Sequence, residues 1–170
     1  MNADTVLQDL ATAIYELPLS AVRERPDYPA LSSPLDIAIL LIDCDTELAM
    51  NGILGFLENR TGAHLEATVG ALLSIGAARA AAKLTAIQEI MRQYEVTWEK
   101  LRGDFAGTRE FQISSFSTLH EQESFATAVS EADPVPIFQR QKEEDVYQLL
   151  CDYLDARLDE LNAEIAKGRA

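Results

Sequence analysis

Cysteine is the side chain of this sequence best suited to nucleophilic chemistry, and the chain holds only Cys44 and Cys151. Cys44 stands between Asp43 and Asp45, whose negative charges oppose formation of the reactive thiolate. Neither cysteine has a Cys-x-x-Cys partner, a usage that is typical of a reducing compartment. The cysteines therefore predict buried, inert thiols instead of a catalytic pair.

The sequence also contains few residues that could bind a metal ion or a phosphate group. Helical metal enzymes place acidic or histidine residues three positions apart, because such residues share one helix face and can clamp a cation. Asp152 and Asp155 form the one such pair in a helical pattern, and no Glu-x-x-His occurs. Gly52-x-x-Gly55 lacks the Lys-Ser/Thr that follows in a phosphate-binding loop, and His64 and His120 belong to no recognisable motif. We predict no catalytic residue, no metal site and no cofactor.

Acidity is the strongest feature of the composition. The formal net charge is −14, and residues 1–59 and 110–170 carry −8 each, whereas residues 60–109 carry +2. Such a charge repels nucleic-acid phosphates and anionic membranes, and it attracts basic partners over a distance that salt shortens. We therefore predict a basic protein as partner, with no direct binding of nucleic acid or membrane.

Carboxylates also recur at helical spacing. A row of this kind can imitate the regular negative charge of a DNA backbone. A solvated helix face gives the same pattern, and spacing alone favours that simpler interpretation. The candidate protein-binding rows, at intervals of seven, three and four and of seven and four, are Asp145, Asp152, Asp155 and Asp159 near the C-terminus, and Asp36, Asp43 and Glu47 nearer the N-terminus.

Apolar residues recur with helical periodicity along almost the whole chain, and no segment alternates as a strand does. Ser33 and Pro34 provide a cap and a first residue for the second helix, while Asn51-Gly52 predicts a break in its middle. Helices are expected over residues 4–16, 35–58, 65–75, 77–94, from 98 to 103 or 107, 111–129 and 138–166. The sequence predicts an all-α bundle of about six to eight helices.

The helices belong to one predicted domain, residues 1–170, in which residues 133–137 form a rigid, proline-containing connection before a long C-terminal helix. No apolar run approaches the length of about 20 residues that a membrane span needs. The N-terminal residues lack the basic start and apolar stretch of a secretory signal. We expect a cytoplasmic protein.

Residues 43–92 carry a series of motifs with a family resemblance. In chain order they are Glu47, Asn51-Gly52, Phe56, Asn59, Gly62 and Ile75-Gly76-Ala77. This series resembles the bacterial helical family of DNA mimic protein 19, whose members carry an acidic residue before an Asn-Gly-Gly-Phe-like segment, then aromatics, Asn and Gly, and later Ile-Gly-Ala. The chain departs from that pattern at Ile53, which replaces the second glycine, and at Leu54 and Leu57, which replace aromatics.

The resemblance implies a bacterial protein that forms a homodimer and occupies the DNA-binding surface of a transcription factor. For the motif residues themselves we expect a scaffold role, with a helix bend at Asn51-Gly52 and a tight turn at Ile75-Gly76. The leading hypothesis is thus an acidic DNA mimic and not an enzyme. Two alternatives remain: an immunity or antitoxin-like inhibitor of a toxin, and a small helical enzyme with an unrecognised carboxylate site.

Overall fold

The computed structural model of the chain describes residues 2–107, 115–132, 135–139 and 143–168. These residues form helices and no strand, and eight helices have seven residues or more, which confirms the predicted all-α fold. No helix among them is long and apolar enough to cross a membrane. The α-helices are α1 (Ala3–Ala13), α2 (Pro34–Glu58), α3 (Leu65–Ser74), α4 (Ala78–Gln93), α5 (Trp98–Ala106), α6 (Phe116–His120), α7 (Glu123–Glu131), α8 (Val146–Asp155) and α9 (Leu158–Gly168), with 3-10 turns at Leu19–Glu24 and Arg60–His64.

Helix α2 is the central element of the fold. It begins where the sequence predicts, because the Ser33 hydroxyl accepts a hydrogen bond from the N–H of Asp36 and Pro34 occupies the first turn. Every residue from 34 to 42 is buried, so the first half of α2 is surrounded by other elements instead of lying on the surface. Helices α3, α5, α7 and α9 all pack against it.

The predicted break in α2 is confirmed at Gly52. Its backbone has φ +65° and ψ −174°, a conformation that is open essentially only to glycine. A Cβ at this position would meet no atom within 4 Å, so glycine is required by the backbone angle and not by crowding. The kink changes the direction of the backbone between the two halves of α2.

The predicted long C-terminal helix, Phe138–Ala166, is wrong in its continuity. Residues 138–139 and 143–145 are not helical, and the helical part is divided into α8 and α9 by a turn at Ala156 and Arg157. The two helices have different partners: α8 packs against α1, whereas α9 packs against α2 and the turn Leu19–Glu24. The turn lets each of the two helices pack its apolar residues against its own partner.

Two other predicted segments reach beyond the described residues. Residues 111–114 of the predicted helix 111–129 lie outside the described residues. The rest of that segment forms two helices, α6 and α7, instead of one. The division falls at Glu121, whose φ of +52° is left-handed and ends α6. Of the predicted connection 133–137, residues 133 and 134 lie outside the description, and Val135 and Pro136 belong to no helix.

Carboxylates from distant elements cap the N-termini of three helices. Asp155 accepts a hydrogen bond from the first N–H of α1 at 2.7 Å. Glu164 of α9 accepts from the N–H of Leu35, the first N–H of α2, at 3.0 Å, and Glu144 accepts from two N–H groups in the first turn of α4 at 2.9 and 2.8 Å. Because unpaired N–H groups and the helix dipole both favour negative charge there, these contacts join elements as well as completing helices. Part of the acidity therefore serves the fold.

Candidate functional site

Helices α1 and α8 bring together carboxylates from opposite ends of the sequence. The carboxylate of Asp4 accepts a hydrogen bond from the Tyr147 hydroxyl at 2.8 Å, across 143 residues of chain. Beside it, Asp155 caps α1, and Asp152 lies one turn earlier on α8. We name Asp4, Asp145, Asp152 and Asp155 the acidic cluster.

The charges of this cluster affect the pKa of the nearby Cys151 thiol. Burial, followed by the charges of Asp4, Asp155, Asp152 and Asp145, raises the pKa of Cys151 to about 11. Burial and the hydrogen bond to Asp4 likewise raise the pKa of Tyr147 to about 12. Negative charge near an acid opposes its ionisation, so the four carboxylates act on one point between the helices.

Within the described residues, the hydrogen bonds of Asp4, Asp152 and Asp155 come from neutral donors. Asp4 accepts from Tyr147 and Gln8, Asp152 from the Gln148 amide, and Asp155 from a backbone N–H. Among the ion pairs of the described residues, none includes Asp4, Asp152 or Asp155. Those pairs are Arg23–Asp43, Arg25–Asp36, Arg25–Asp27, Arg60–Glu24, Arg79–Glu143, Arg92–Glu89 and Arg157–Glu160.

The row predicted at the C-terminus is bent by the turn between α8 and α9. Asp145 caps α8, since its carboxylate accepts from the N–H of Gln148 at 3.0 Å. Asp152 and Asp155 are exposed on α8, while Asp159 is exposed in the first turn of α9. The structure thus adds Asp4 to three members of the row and separates Asp159 from them by the turn.

The first two members of the row on α2 lie in ion pairs instead of on an outward face. Asp36 is 0% exposed, and its Oδ2 accepts from the guanidinium of Arg25 at 2.5 Å and from the N–H of Ala30 at 2.9 Å. Asp43 receives two hydrogen bonds of 2.7 Å from Arg23. The spacing of seven places both on one side of α2, but residues 19–30 cover that side, which the sequence pattern does not reveal.

Glu47, the third member of this row, organises the family motif. Its Oε2 accepts from the side-chain amides of Asn51 at 2.8 Å and Asn59 at 2.7 Å, which spans the kink of α2. The backbone oxygen of Asn59 in turn accepts from the indole N–H of Trp98 at 2.9 Å. These contacts fix the end of α2 against α5.

The remaining motif residues make backbone and core contacts. Phe56 is completely buried, and Gly62 lies so close to α2 that a Cβ would stand 2.5 Å from the oxygen of Leu57. Gly76, with φ +84°, ends α3, and the N–H of Ala77 donates to Leu72 at 2.8 Å in the tight turn before α4. Buried Ile75 and Ala77 flank this turn.

His120 is a polar contact that sequence reasoning missed. Its ring is buried, and its two nitrogens lie 2.7 Å from Glu58 and 3.0 Å from Asp104, which joins α6 to α2 and α5. Both partners are remote in sequence, so spacing carries no indication of them. Both nitrogens are occupied, so the imidazole serves as a structural contact between the three helices.

The remaining candidates for chemistry are also held in structural roles. Burial and the neighbouring Asp45 and Asp43 raise the pKa of the Cys44 thiol far above its ordinary value. Within residues 2–107, 115–132, 135–139 and 143–168, no group of three or more His, Cys, Asp or Glu side chains is placed to hold a metal ion. What the acidic cluster can do is attract and bind a cationic surface.

Among the described residues, these features define an all-helical protein with an acidic cluster on α1 and α8 and a hydrogen-bonded motif around the central helix α2. A sequence profile described as DMP19-like protein matches residues 29–168. The match covers most of the chain, so the chain belongs to the DMP19-like protein family, which confirms the resemblance carried by the motif. No curated protein and no solved structure matches the chain.

We expect the pKa and the reactivity of the Cys151 thiol to depend on the charges of the acidic cluster. In a Cys44→Ala background, Asp152→Asn with Asp155→Asn should lower the pKa of Cys151 and speed its reaction with a thiol reagent about threefold at pH 8. Glu66→Gln, on exposed α3, removes a remote charge and should leave the rate unchanged. Equal rates in all three proteins would show that burial alone raises this pKa.

Proposed function

We propose that the protein is a DNA mimic that occupies the basic surface of a DNA-binding protein through the acidic cluster and Asp159. The observation that carries this proposal is the convergence of Asp4 with Asp152 and Asp155, whose contacts are with neutral donors. Within the part of the chain that the structure describes, these three carboxylates form no ion pair, so they offer their negative charges to a partner. It therefore presents to a basic partner what a phosphate backbone presents.

The spacing of the charges supports the same function. Asp152 and Asp155 lie about 4.5 Å apart along the axis of α8, from a rise of about 1.5 Å per residue. Phosphates follow one another at about 3.4 Å along each strand of duplex DNA. The charges come from two helices, because Asp4 belongs to α1 and Asp152 and Asp155 belong to α8. The negative surface is therefore wider than a single row on one helix.

Family membership supports the proposal independently. The DMP19-like family is a DNA mimic family and not a known enzyme family, which favours a binding function over catalysis. We further propose a division of labour among the acids of this chain. Asp36, Asp43 and Glu47 hold α2 to its neighbours, while the acidic cluster and Asp159 meet the partner.

The test begins with proteins of the host that bind DNA-cellulose. These are offered to the immobilised protein, and the retained species are displaced with duplex DNA, identified and purified. We expect the triple variant Asp152→Asn, Asp155→Asn, Asp159→Asn to bind the purified partner at least about tenfold more weakly at about 0.1 M salt. The affinity of the original protein should fall steeply as salt rises.

A matched variant separates position from total charge. Glu66→Gln, Glu99→Gln, Glu131→Gln removes the same number of charges from exposed sites on α3, α5 and α7. We expect the affinity of this variant for the partner to stay within about threefold of the original. Salt screens the attraction between the bound partner and charges that lie far from its binding surface. Equal losses in the two triple variants, or a partner that binds this protein and DNA together, would contradict the proposal.

Homodimerisation, which the family resemblance implies, remains part of the proposal. Sedimentation of the full chain at several concentrations measures it directly. A dimer that leaves Asp152 and Asp155 accessible is compatible with mimicry, whereas one that covers them is not.

A further inference from the structure

Three large apolar side chains are exposed around the end of α1 and the middle of α2. Leu17 is 83% exposed, Met50 75% and Tyr15 52%. A folded protein gains free energy by burying side chains of this size, so exposed ones that lie together commonly mark a contact surface. We name Tyr15, Leu17 and Met50 the apolar patch.

Contacts with α2 hold Tyr15 near Met50. The hydroxyl of Tyr15 lies 3.2 Å from that of Thr46, and Met50 follows Thr46 by one helical turn on the same face of α2. The guanidinium of Arg23 lies 5.4 Å from the centre of the Tyr15 ring and fixes its orientation. Leu17 follows Tyr15 by two residues. The patch is thus attached to ordered elements.

Helix α1 connects the apolar patch to the acidic cluster. Asp4 belongs to the cluster at the start of α1, Asp9 is exposed along it, and Glu16 is exposed beside Tyr15 and Leu17. The eleven residues of α1 span about 16 Å at about 1.5 Å per residue. A single partner surface of ordinary size reaches across both ends.

The surroundings of the patch are acidic as well. Glu16 stands between Tyr15 and Leu17 in the chain, and Asp43 and Glu47 belong to the same part of α2 as Thr46 and Met50. Against these three carboxylates stands the guanidinium of Arg23, which pairs with Asp43. An apolar contact bordered by excess negative charge complements a basic surface that carries exposed apolar side chains. It does not complement an acidic or a neutral one.

We propose that the apolar patch is the second contact for the basic partner of the acidic cluster, and that this partner presents a basic surface with exposed apolar side chains. The inference rests on the proposed function and specifies the chemistry of its partner. Charge on its own attracts any cationic protein, and salt weakens it. An apolar anchor adds affinity that salt does not screen, and DNA has no equivalent, so the mimic distinguishes partners by it.

Two synthetic peptides of equal length and charge test this proposal. One places Lys and Leu at amphipathic helical spacing, and the other has Ser in place of every Leu. We expect the full-length protein to bind the Leu peptide at least about tenfold more tightly than the Ser peptide at about 0.5 M salt, where charge attraction is screened. Leu17→Ser with Met50→Ser should reduce that preference to below about threefold.

Leu73→Ser is the matched control, because Leu73 is an exposed leucine on α3, away from α1. It should keep the preference. Equal binding of the two peptides by the original protein overturns the inference, as does a preference that survives in Leu17→Ser with Met50→Ser. A dimer that this double variant dissociates also overturns it, since the patch then belongs to a second copy.

Failure of the proposed function is visible separately in the same experiment. Binding of the Ser peptide at about 0.1 M salt depends on charge alone and should weaken in Asp152→Asn, Asp155→Asn, Asp159→Asn. If it does not, the acidic cluster is not the binding surface, whatever the Leu peptide does.

Discussion

Alanine at position 62 is expected to destabilise the protein by about 3 kcal/mol, because its Cβ would overlap the backbone of α2. The added atom would lie 2.5 Å from the oxygen of Leu57 and 2.9 Å from its carbonyl carbon and Cα. These are backbone atoms at the end of the central helix, so relief requires that the turn Arg60–His64 moves away from α2. Urea denaturation followed by circular dichroism measures the change.

Gly103→Ala is the control for this prediction. Gly103 lies inside α5, and a Cβ there meets nothing within 4 Å. Alanine at such a helical site should stabilise by about 0.5 to 1 kcal/mol, because it restricts the unfolded chain more than glycine does. If Gly62→Ala is as stable as the original protein, the close approach of the turn to α2 is absent in solution.

Replacing Arg25 by methionine is expected to cost about 3 kcal/mol through its effect on Asp36. Asp36 is completely buried, and its other oxygen, Oδ1, has no hydrogen-bond partner among the described residues. Without the guanidinium, only the N–H of Ala30 would remain to offset the charge on Oδ2. Thermal and urea unfolding at neutral pH measure the loss.

The double variant Arg25→Met with Asp36→Leu identifies the cause. It removes the buried charge together with its partner, so most of the lost stability should return, apart from about 1 kcal/mol for the contact with Ala30. Arg92→Met, which breaks an exposed ion pair with Glu89, should leave stability essentially unchanged. A double variant no more stable than Arg25→Met would show that lost packing of the arginine chain is responsible.

Local sequence patterns predicted most of the helices because each depends on nearby residues. The cap at Ser33, the kink at Gly52 and the helix end at Gly76 all follow from one or two side chains and their backbone preferences. The division between α8 and α9 depends on which distant helices lie beneath each half. No periodicity within residues 138–166 contains that information.

The candidate site was predicted only in part for the same reason. Spacing placed Asp152 and Asp155 on one face of a helix, and both are exposed on α8. Asp4 joins them through contacts between the first and eighth helices, which no local pattern describes. Conversely, Asp36 has the spacing of a surface residue, but a loop folds over it and supplies Arg25.

The carboxylates that cap α1 and α2 have a consequence for the order in which the molecule matures. Asp155 and Glu164 stand near the end of the chain, whereas the N–H groups that they satisfy stand near its beginning. During synthesis α1 and α2 therefore leave the ribosome before the residues that provide these caps have been translated. The contacts that join α1 to α8 and α2 to α9 therefore form after the intervening helices, so the packing of the first helices depends on elements that are synthesised much later.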